Sequence, residues 1–273
     1  MVTPPRALTV AGSDSGGGAG IQADLRTFTA LGVWGTTVIT AVTAQNTVGV
    51  SRVLPLPADL VAAQLDAVLE DIGADAAKTG MLATTDIVTV VAQRLRDRRL
   101  RLVVDPVLVS TSGTPLLAAD ALDALRHQLL PLAEVVTPNL PEARMLTGLP
   151  LAGEEEALAA ARAIAAWGPR FVVIKGGHAS GPESVDWLWD GHEMERLAAR
   201  RRPTGHTHGS GCVFAAAIAA RLACGDHPRA AIAAAKDVVS QAIDHAVAIG
   251  RGRGPVNPAA ARFRPDPGAG RQL

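Results

Sequence analysis

Short apolar runs alternate with amphipathic stretches along most of the chain. Six runs predict strands covered on both faces, because nearly all of their side chains are apolar: residues 7–11, 36–43, 76–81, 102–105, 134–137 and 171–175. Eight stretches predict helices: residues 21–31, 59–71, 86–96, 119–130, 141–147, 154–167, 211–224 and 230–249. This alternation predicts a three-layer α/β domain, with helices on both faces of a mostly parallel sheet.

Two segments depart from this alternation. Residues 184–190 and 193–200 have a hairpin pattern with Gly191 at the turn, which predicts an antiparallel edge of the sheet. Residues 251–273 are rich in Gly, Pro and Arg and lack apolar periodicity, which predicts a loosely held tail. We therefore expect a single domain over residues 1–250, followed by that tail.

Composition and charge exclude several classes of protein. The 26 Lys and Arg residues balance 26 Asp and Glu residues, and aromatic residues make up 3%, which argues against a nucleic-acid partner. Two cysteines, Cys212 and Cys224, indicate neither a disulfide framework nor a structural zinc site. No apolar stretch approaches the length of about 18 residues that crosses a membrane, and the N-terminal apolar segment is too short for a signal peptide. We expect a cytoplasmic protein with no membrane partner.

The loops that follow the strands should carry the chemistry, because ligands of open α/β sheets bind beyond the carboxyl ends of the strands. The first of these loops, residues 12–20, is dense in glycine and leads into a helix, which favours close approach of a polar or anionic ligand. Gly18-x-Gly20-x-x-Ala23 matches part of a dinucleotide fingerprint, but no acidic residue lies between Asp24 and Asp59 to hold a ribose. A polar ligand is favoured over a dinucleotide, and a flexible turn is the alternative.

Polar residues at four further strand ends or helix starts are candidate ligand contacts. The Gln45 amide suits a heterocycle that carries an amino group beside a ring nitrogen, although it could also cap its own loop. Asp105 could hold Mg²⁺ or cap a turn. Asn139 and Glu142 are placed to form a capping box at the start of a helix. Lys175, followed by two glycines, could place its charge over a phosphate.

The late loop, residues 204–212, precedes a strongly apolar helix. Successive backbone N–H groups at that helix start predict an anion hole for a transferring phosphoryl group. The same field would favour the Cys212 thiolate, which could then take a proton from a hydroxyl; a small packing residue is the alternative. His206 and His208 could bind a metal, but with no third ligand nearby a hydrogen-bonding role is the alternative.

Seven segments, in chain order, resemble the hydroxymethylpyrimidine/phosphomethylpyrimidine kinases of thiamine biosynthesis, a branch of the ribokinase-like superfamily. They are residues 11–24, 43–47, 78–81, 104–107, 137–143, 175–178 and 207–212. The resemblance implies a ribokinase-like fold, ATP and Mg²⁺ as co-substrate and cofactor, and a homodimer. It also implies two successive phosphorylations of 4-amino-5-hydroxymethyl-2-methylpyrimidine, first to the monophosphate and then to the diphosphate.

The resemblance also assigns roles to individual positions. Gln45 would read the pyrimidine edge, with Gly12, Met81 and Val107 lining its pocket and Asp24 near the polar end of the first loop. Asp105 and Glu142 would organise Mg²⁺, while Asn139, Lys175 and Thr204 would contact ATP. Gly209, Ser210, Gly211 and Cys212 would form the anion hole, with Cys212 as the base.

Three positions depart from the family pattern Asn-Thr-His-Gly-Thr-Gly-Cys-Thr, because His206, Ser210 and Val213 replace the Asn and two of the Thr residues. Ser210 keeps a hydroxyl and an N–H, whereas Val213 loses a hydroxyl at the helix start. A pyridoxal (vitamin B6) kinase of the same superfamily is the alternative function. A non-catalytic pyrimidine-binding protein would need none of the predicted phosphate and metal contacts.

Overall fold

Nine strands form one sheet in the computed structural model, which describes residues 3–110, 113–151, 153–177 and 181–260. They are β1 (Arg6–Asp14), β2 (Trp34–Gln45), β3 (Val50–Pro55), β4 (Ala76–Thr79), β5 (Arg101–Val104), β6 (Val135–Val136), β7 (Phe171–Lys175), β8 (Glu183–Trp189) and β9 (Met194–Arg200). Their order is β3-β2-β1-β4-β5-β6-β7-β8-β9. The pairs from β2 to β7 are parallel, whereas β3, β8 and β9 pair antiparallel at the two edges.

Within the described residues, eight α-helices cover this sheet: α1 (Gly20–Ala30), α2 (Ala58–Ala67), α3 (Thr85–Arg96), α4 (Ala121–Ala124), α5 (Leu140–Thr147), α6 (Glu154–Ala165), α7 (Ser210–Ala223) and α8 (Pro228–Asp244). Helices α2 and α4 continue into π-helical turns, at Val68–Ile72 and Leu125–Leu129. One apolar core packs α1, α7 and α8 on one face of the sheet, and a second packs α2 to α6 on the other. The predicted three-layer α/β architecture is confirmed.

The sheet edges show what the sequence pattern missed. The predicted antiparallel hairpin is confirmed as β8 and β9, but the opposite edge strand, β3, was not predicted. Its six residues are all partly or fully exposed and include Ser51, Arg52 and Pro55, so they lack the apolar run that marked the buried strands.

The last predicted helix is also shorter than expected, since α8 ends at Asp244 rather than at residue 249.

Residues 251–260 pack against the domain, in contrast to the prediction of a loosely held tail. Gly254, Pro255 and Val256 are buried. The His208 N–H donates to the Gly254 carbonyl at 3.2 Å, and the Val256 N–H donates to the His208 carbonyl at 3.1 Å. These bonds tie the segment to the loop before α7. Residues 261–273 lie outside the described part of the chain.

The strand order reverses direction at β1, which has β2 on one side and β4 on the other. Open α/β sheets bind ligands in the crevice at such a switch point. The loops after β1, β4, β5, β6 and β7 all leave the carboxyl edge of the parallel strands, so the sheet brings the candidate residues to one edge. Over the described ranges, no helix combines the length and apolar character needed to cross a bilayer.

Candidate active site

Asp14, at the end of β1, organises the glycine-rich first loop. Its Oδ1 accepts from the Gly16 N–H at 2.8 Å, and its Oδ2 accepts from Gly18 and Ala19 at 3.0 and 2.8 Å. The same Oδ2 lies 3.0 Å from His208 Nε2. Burial opposes ionisation of this carboxyl, but the hydrogen bonds from His208 and the loop hold the pKa of Asp14 below its usual value. The loop is therefore wrapped around a carboxylate rather than open for an anion at this point.

Gln45 ends β2 beside this loop. The Ser15 hydroxyl is within hydrogen-bond distance of both the Gln45 carbonyl, at 2.7 Å, and the Gln45 N–H, at 2.8 Å. The Gln45 side-chain amide contacts Thr43 Oγ1 at 3.3 Å and His208 Nε2 at 3.4 Å. The predicted reader of the pyrimidine edge is thus partly exposed and held on several sides.

Gly12, Met81 and Val107 lie together at the ends of the neighbouring strands β1, β4 and β5. A Cβ on Gly12 would lie 3.1 Å from Met81 Sδ, so the thioether would have to shift by a few tenths of an ångström to make room for a larger residue. Val107 packs against the small apolar cluster that contains Met81. The three predicted pocket residues therefore share one apolar patch.

Asp24 is fully buried under the first loop and pairs with Lys78 of β4. Lys78 Nζ lies 2.9 and 3.1 Å from the two carboxylate oxygens, and Thr9 Oγ1 donates to Asp24 at 2.6 Å. Burial opposes the charge of Lys78, but Asp24 raises the pKa of the amine above its usual value. In this structure Asp24 holds Lys78 instead of reaching the polar end of the loop as predicted.

Cys212 lies in the first turn of α7, within the field of this pair. Desolvation raises the pKa of the Cys212 thiol to about 11, and the charges of Asp24 and Asp105 add to the effect while Lys78 opposes it. The prediction that the helix start favours the thiolate is therefore wrong for this structure. The reason is that burial and two carboxylates outweigh Lys78 and the hydrogen bond from the Gly20 backbone.

Asp105 and Lys175 form an ion pair between the ends of β5 and β7. Lys175 Nζ lies 2.8 Å from Asp105 Oδ1, which also accepts from Thr137 Oγ1 at 3.1 Å. A Cβ on Gly211 would lie 3.1 Å from Lys175 Nζ and 3.9 Å from Asp105 Oδ2. The sheet thus brings the predicted phosphate-binding lysine and the predicted metal-binding aspartate against the start of α7.

Asn139 and Glu142 form the predicted capping box at the start of α5, which is confirmed. Asn139 Oδ1 accepts from the Glu142 N–H, and Glu142 Oε2 accepts from the Asn139 N–H, both at 2.8 Å. This arrangement leaves the Asn139 NH₂ group to donate to a ligand. The Lys175 N–H donates to the neighbouring Pro138 carbonyl at 2.8 Å, so Asn139 and Lys175 are adjacent.

The donor set of Asp105 and Glu142 fits Mg²⁺. Burial raises the pKa of Glu142 to about 7, and the charge of Asp105 contributes to this while Lys175 opposes it. Two carboxylates that repel each other at a buried edge are the donors that Mg²⁺ combines with phosphate oxygens and water. A divalent cation would offset both the cost of burial and the repulsion by Asp105, which together raise this pKa.

The start of α7 has the features of the predicted anion hole. Gly209 precedes the helix with φ +80°, and a Cβ there would lie 1.8 Å from the Gly18 carbonyl oxygen, so this position requires glycine. The Ser210 N–H donates to Thr207 at 3.2 Å. Among the described residues, the N–H groups of Gly209, Gly211 and Cys212 have no hydrogen-bond partner. Three of the four predicted donors thus remain for an anion.

The described contacts do not link Thr204 directly to another predicted site residue. Its hydroxyl accepts from the His206 N–H at 3.1 Å and so closes a local turn. His206 Nδ1 in turn accepts from the Gly254 N–H at 2.9 Å. His206 and His208 therefore both have the hydrogen-bonding roles that the sequence left as an alternative to metal binding.

Two contributors, Asp14 and Lys78, escaped sequence reasoning, and for His208 the sequence left a hydrogen-bonding role open without naming its partners. A signal for Lys78 was present, because the chain has only three lysines among its 26 basic residues. All three pair with aspartates that are almost fully buried, since Lys175 pairs with Asp105 and Lys236 with Asp186. Because all the other basic residues counted here are arginines, the presence of a lysine was itself a signal of a buried ion pair.

The fold is similar to that of ribokinase-like vitamin kinases. A Bacillus subtilis pyridoxal kinase in complex with ADP matches with a TM-score of 0.89 and 41% identity, over 96% of this chain and 100% of that chain. A Staphylococcus aureus pyridoxal kinase in complex with AMP-PCP and pyridoxal matches with a TM-score of 0.88 and 38% identity, over 95% of each chain. The class is therefore that of the ribokinase-like kinases.

Within that class the chain belongs to the phosphomethylpyrimidine kinase family, whose model matches residues 14–257. The hydroxymethylpyrimidine/phosphomethylpyrimidine kinase of Mycobacterium bovis is 51% identical over 94% of this chain and 94% of its own length. The protein of the same description from Rhizobium meliloti is 52% identical over 92% of this chain and 96% of its own length. The resemblance recognised in the sequence motifs is confirmed.

Proposed function

We propose that the protein is an ATP-dependent kinase of thiamine biosynthesis. It phosphorylates 4-amino-5-hydroxymethyl-2-methylpyrimidine and then phosphorylates the monophosphate to the diphosphate. The observation that carries this proposal is the Asp105–Lys175 pair beside the unpaired N–H groups at the start of α7. We place the reaction in the cytoplasm, where ATP is available.

Each group of residues has a separate task in this reaction. Gln45 and the apolar patch of Gly12, Met81 and Val107 hold the pyrimidine. Lys175 and the Asn139 NH₂ group bind the phosphates of ATP, and the N–H groups before α7 stabilise the charge that develops on the transferring group. Thr204 is a further nucleotide contact in this proposal, and the family resemblance alone assigns it that role.

Asp105 and Glu142 hold the metal ion in this proposal. Bound Mg²⁺ would neutralise phosphate charge during transfer. The protein prepares for it by placing two carboxylates at neighbouring loops and by balancing one of them with Lys175. The lysine also lets the site keep its shape before the ion and nucleotide arrive.

The experiment that tests the proposed function is an ADP-release assay with three alternative acceptors: the hydroxymethylpyrimidine, its monophosphate and pyridoxal. We expect turnover with both pyrimidines and a much lower kcat/KM with pyridoxal. Pyridoxal is included because the similar solved structures are of pyridoxal kinases. The Asp105→Asn variant, which should lose turnover with every acceptor, corrects for contaminating ATPase. A higher kcat/KM with pyridoxal would replace the proposed function by the alternative.

We further propose a homodimer that uses the β2–β3 edge. Val42 and Leu54 are directly opposed across these strands, and both side chains are about half exposed. An exposed cross-strand apolar pair at a sheet edge is typical of an association surface. We expect sedimentation to give a dimer for the wild type and a monomer for Leu54→Asp. Met145→Asp, at an equally exposed apolar position on α5, should leave the dimer intact.

A further inference from the structure

His208 connects three parts of the site that lie far apart in the sequence. Its Nε2 lies 3.0 Å from Asp14 Oδ2 and 3.4 Å from the Gln45 amide. A Cβ on Gly18 would lie 2.5 Å from its ring, so the first loop packs directly on the imidazole. Its backbone N–H and carbonyl hold residues 254 and 256. The ring is therefore fixed before any ligand binds.

The protons in this network can be assigned from its neighbours. The Asp14 carboxylate, whose pKa is lowered, can only accept, so His208 Nε2 carries a proton. Thr43 Oγ1 lies 2.9 Å from the Ser13 carbonyl, which also can only accept. The single hydroxyl proton of Thr43 therefore goes to Ser13, and towards Gln45 this oxygen can only accept.

These two assignments decide which way the Gln45 amide must face. The two ends of an amide have the same shape, so hydrogen bonding decides which end meets which neighbour. When Gln45 Nε2 faces His208 Nε2, two hydrogen-bond donors face each other. In the same orientation Gln45 Oε1 faces the Thr43 hydroxyl oxygen, so two acceptors also face each other. Half a turn about the terminal side-chain torsion lets the amide oxygen share, as a second acceptor, the imidazole N–H that Asp14 accepts, and lets the amide NH₂ donate to Thr43. Only this orientation satisfies both neighbours.

We propose that His208 is a positioning residue that fixes the orientation of the Gln45 amide and thereby selects an aminopyrimidine. This inference rests on the proposed function of Gln45. With its orientation set, the amide offers one acceptor and one donor in a fixed order. An amino group beside a ring nitrogen presents the matching donor and acceptor, whereas pyridoxal has no ring amino group. An amide free to turn would present the wrong order part of the time.

The test is a double-mutant cycle between His208→Leu and Gln45→Ala, read as the KM for the hydroxymethylpyrimidine and, in parallel, for ATP. We expect each single variant to raise the pyrimidine KM about tenfold and to change the ATP KM less than about threefold. In the Gln45→Ala background, His208→Leu should add less than about twofold. His208→Gln retains an N–H donor of similar reach and should recover most of the loss.

Two further variants separate positioning from a structural role. His206→Leu removes the other imidazole of the same loop, which bonds Gly254 and has no described contact with Gln45, and it should leave the pyrimidine KM unchanged. Thr43→Val removes the other neighbour of the amide and should act like His208→Leu. Melting temperatures of all variants identify any general loss of folding.

The outcomes distinguish the two proposals. If Gln45→Ala leaves the pyrimidine KM unchanged, the proposed role of Gln45 fails, and the inference about His208 fails with it. If Gln45→Ala raises that KM but His208→Leu raises it by the same factor in both backgrounds, only the inference fails. Equal increases in the KM for ATP and for the pyrimidine would also overturn it.

Discussion

Cys212 illustrates how residues far apart in sequence set the chemistry of one side chain. The thiol lies among Asp24, Asp105 and Lys78, and its pKa of about 11 is the balance of burial and these charges. At pH 8 a thiol with this pKa is ionised in roughly one molecule in a thousand. The side chain is therefore a proton-carrying thiol at rest, and any action as a base requires it to ionise.

This balance can be measured by alkylation. In a Cys224→Ala background, we expect the rate of Cys212 alkylation by iodoacetamide to rise with pH, with a midpoint near 11. Asp105→Asn removes one of the charges that disfavour the thiolate, so its midpoint should be lower. A midpoint at the ordinary thiol value in both proteins would contradict this account of the site.

The raised pKa of Glu142 predicts how the free energy of unfolding depends on pH in the absence of metal. Its folded-state pKa of about 7 lies above its ordinary value of 4.5, so the protonated carboxyl is the form that suits the fold. Its favourable contribution is fully present below about pH 4.5 and is lost as the pH rises through about 7. Glu142→Gln keeps the shape and the capping interaction but cannot ionise.

We therefore expect Glu142→Gln to gain stability relative to the wild type as the pH rises from about 5 to about 8, by at most about 3 kcal/mol. Urea denaturation in EDTA at several pH values measures the difference. Mg²⁺ and nucleotide should stabilise the wild type more than the variant. A difference that does not change with pH would show that Glu142 is not strained when ionised.

At the residue scale, the sequence identified the polar residues at the ends of strands but not the partners with which buried residues form ion pairs. Gln45, Asp105 and Lys175 could be named because a polar residue after an apolar run stands out. The Asp24–Lys78 and Asp14–His208 pairs join positions 54 and 194 residues apart, and no local pattern encodes such a distance. The same limit explains the wrong prediction for Cys212, since the helix start was visible in the sequence and the surrounding carboxylates were not.

At the scale of elements, the C-terminal segment acts as a support for the late loop. Val256 is almost fully buried in the core formed by α1, α7 and α8, and its N–H holds the His208 carbonyl. A segment rich in Gly, Pro and Arg gives no periodic signal, so its packing could not be predicted. What fixes it is the backbone pairing with residues 208 and 247 rather than a secondary-structure pattern.

The packing of this segment against the core predicts that shortening one of its buried side chains lowers the stability of the protein. Val256→Ala removes two buried methyl groups and should lower the free energy of unfolding by about 2 kcal/mol. Val247→Ala, in the neighbouring stretch but 38% exposed, should change it by less than about 0.5 kcal/mol. Chemical denaturation of both variants measures the difference, and equal losses would contradict the buried role of the segment.

The elements that sequence predicted well are those with a continuous apolar pattern. The buried strands β1, β5 and β7 and the amphipathic helices α1, α3 and α6 begin within two residues of the predicted positions. Strand β3 was missed because an edge strand is exposed and carries no such pattern. The central strands and the β8–β9 edge could therefore be predicted, whereas the exposed edge strand β3 could not.

At the scale of the whole molecule, the parallel sheet brings the proposed pyrimidine pocket and the proposed phosphate-binding edge to the same side. Gln45 ends β2, Asp105 follows β5 and Lys175 ends β7, so the proposed substrate and nucleotide contacts are held on one sheet, which serves as their common frame. Two chemically different acceptors must use this frame in turn. The first is a neutral hydroxymethyl group and the second is a phosphate, which is already anionic near neutral pH.

The two acceptors differ in their need for a base, and this difference gives a test of Cys212. A hydroxymethyl group must lose a proton during transfer, and a positioned base contributes about 10²- to 10⁴-fold, whereas an anionic phosphate needs none. Cys212→Ala keeps the backbone N–H groups, so we expect it to slow the first phosphorylation strongly and the second much less. Because the thiol ionises only near pH 11, the wild-type rate of the first step should still rise between about pH 8 and 10, and the variant should lose that rise. Single-turnover rates with each acceptor across this range measure both effects. Equal losses with a shared pH profile would mean that Cys212 shapes the loop before α7 and does not move the proton.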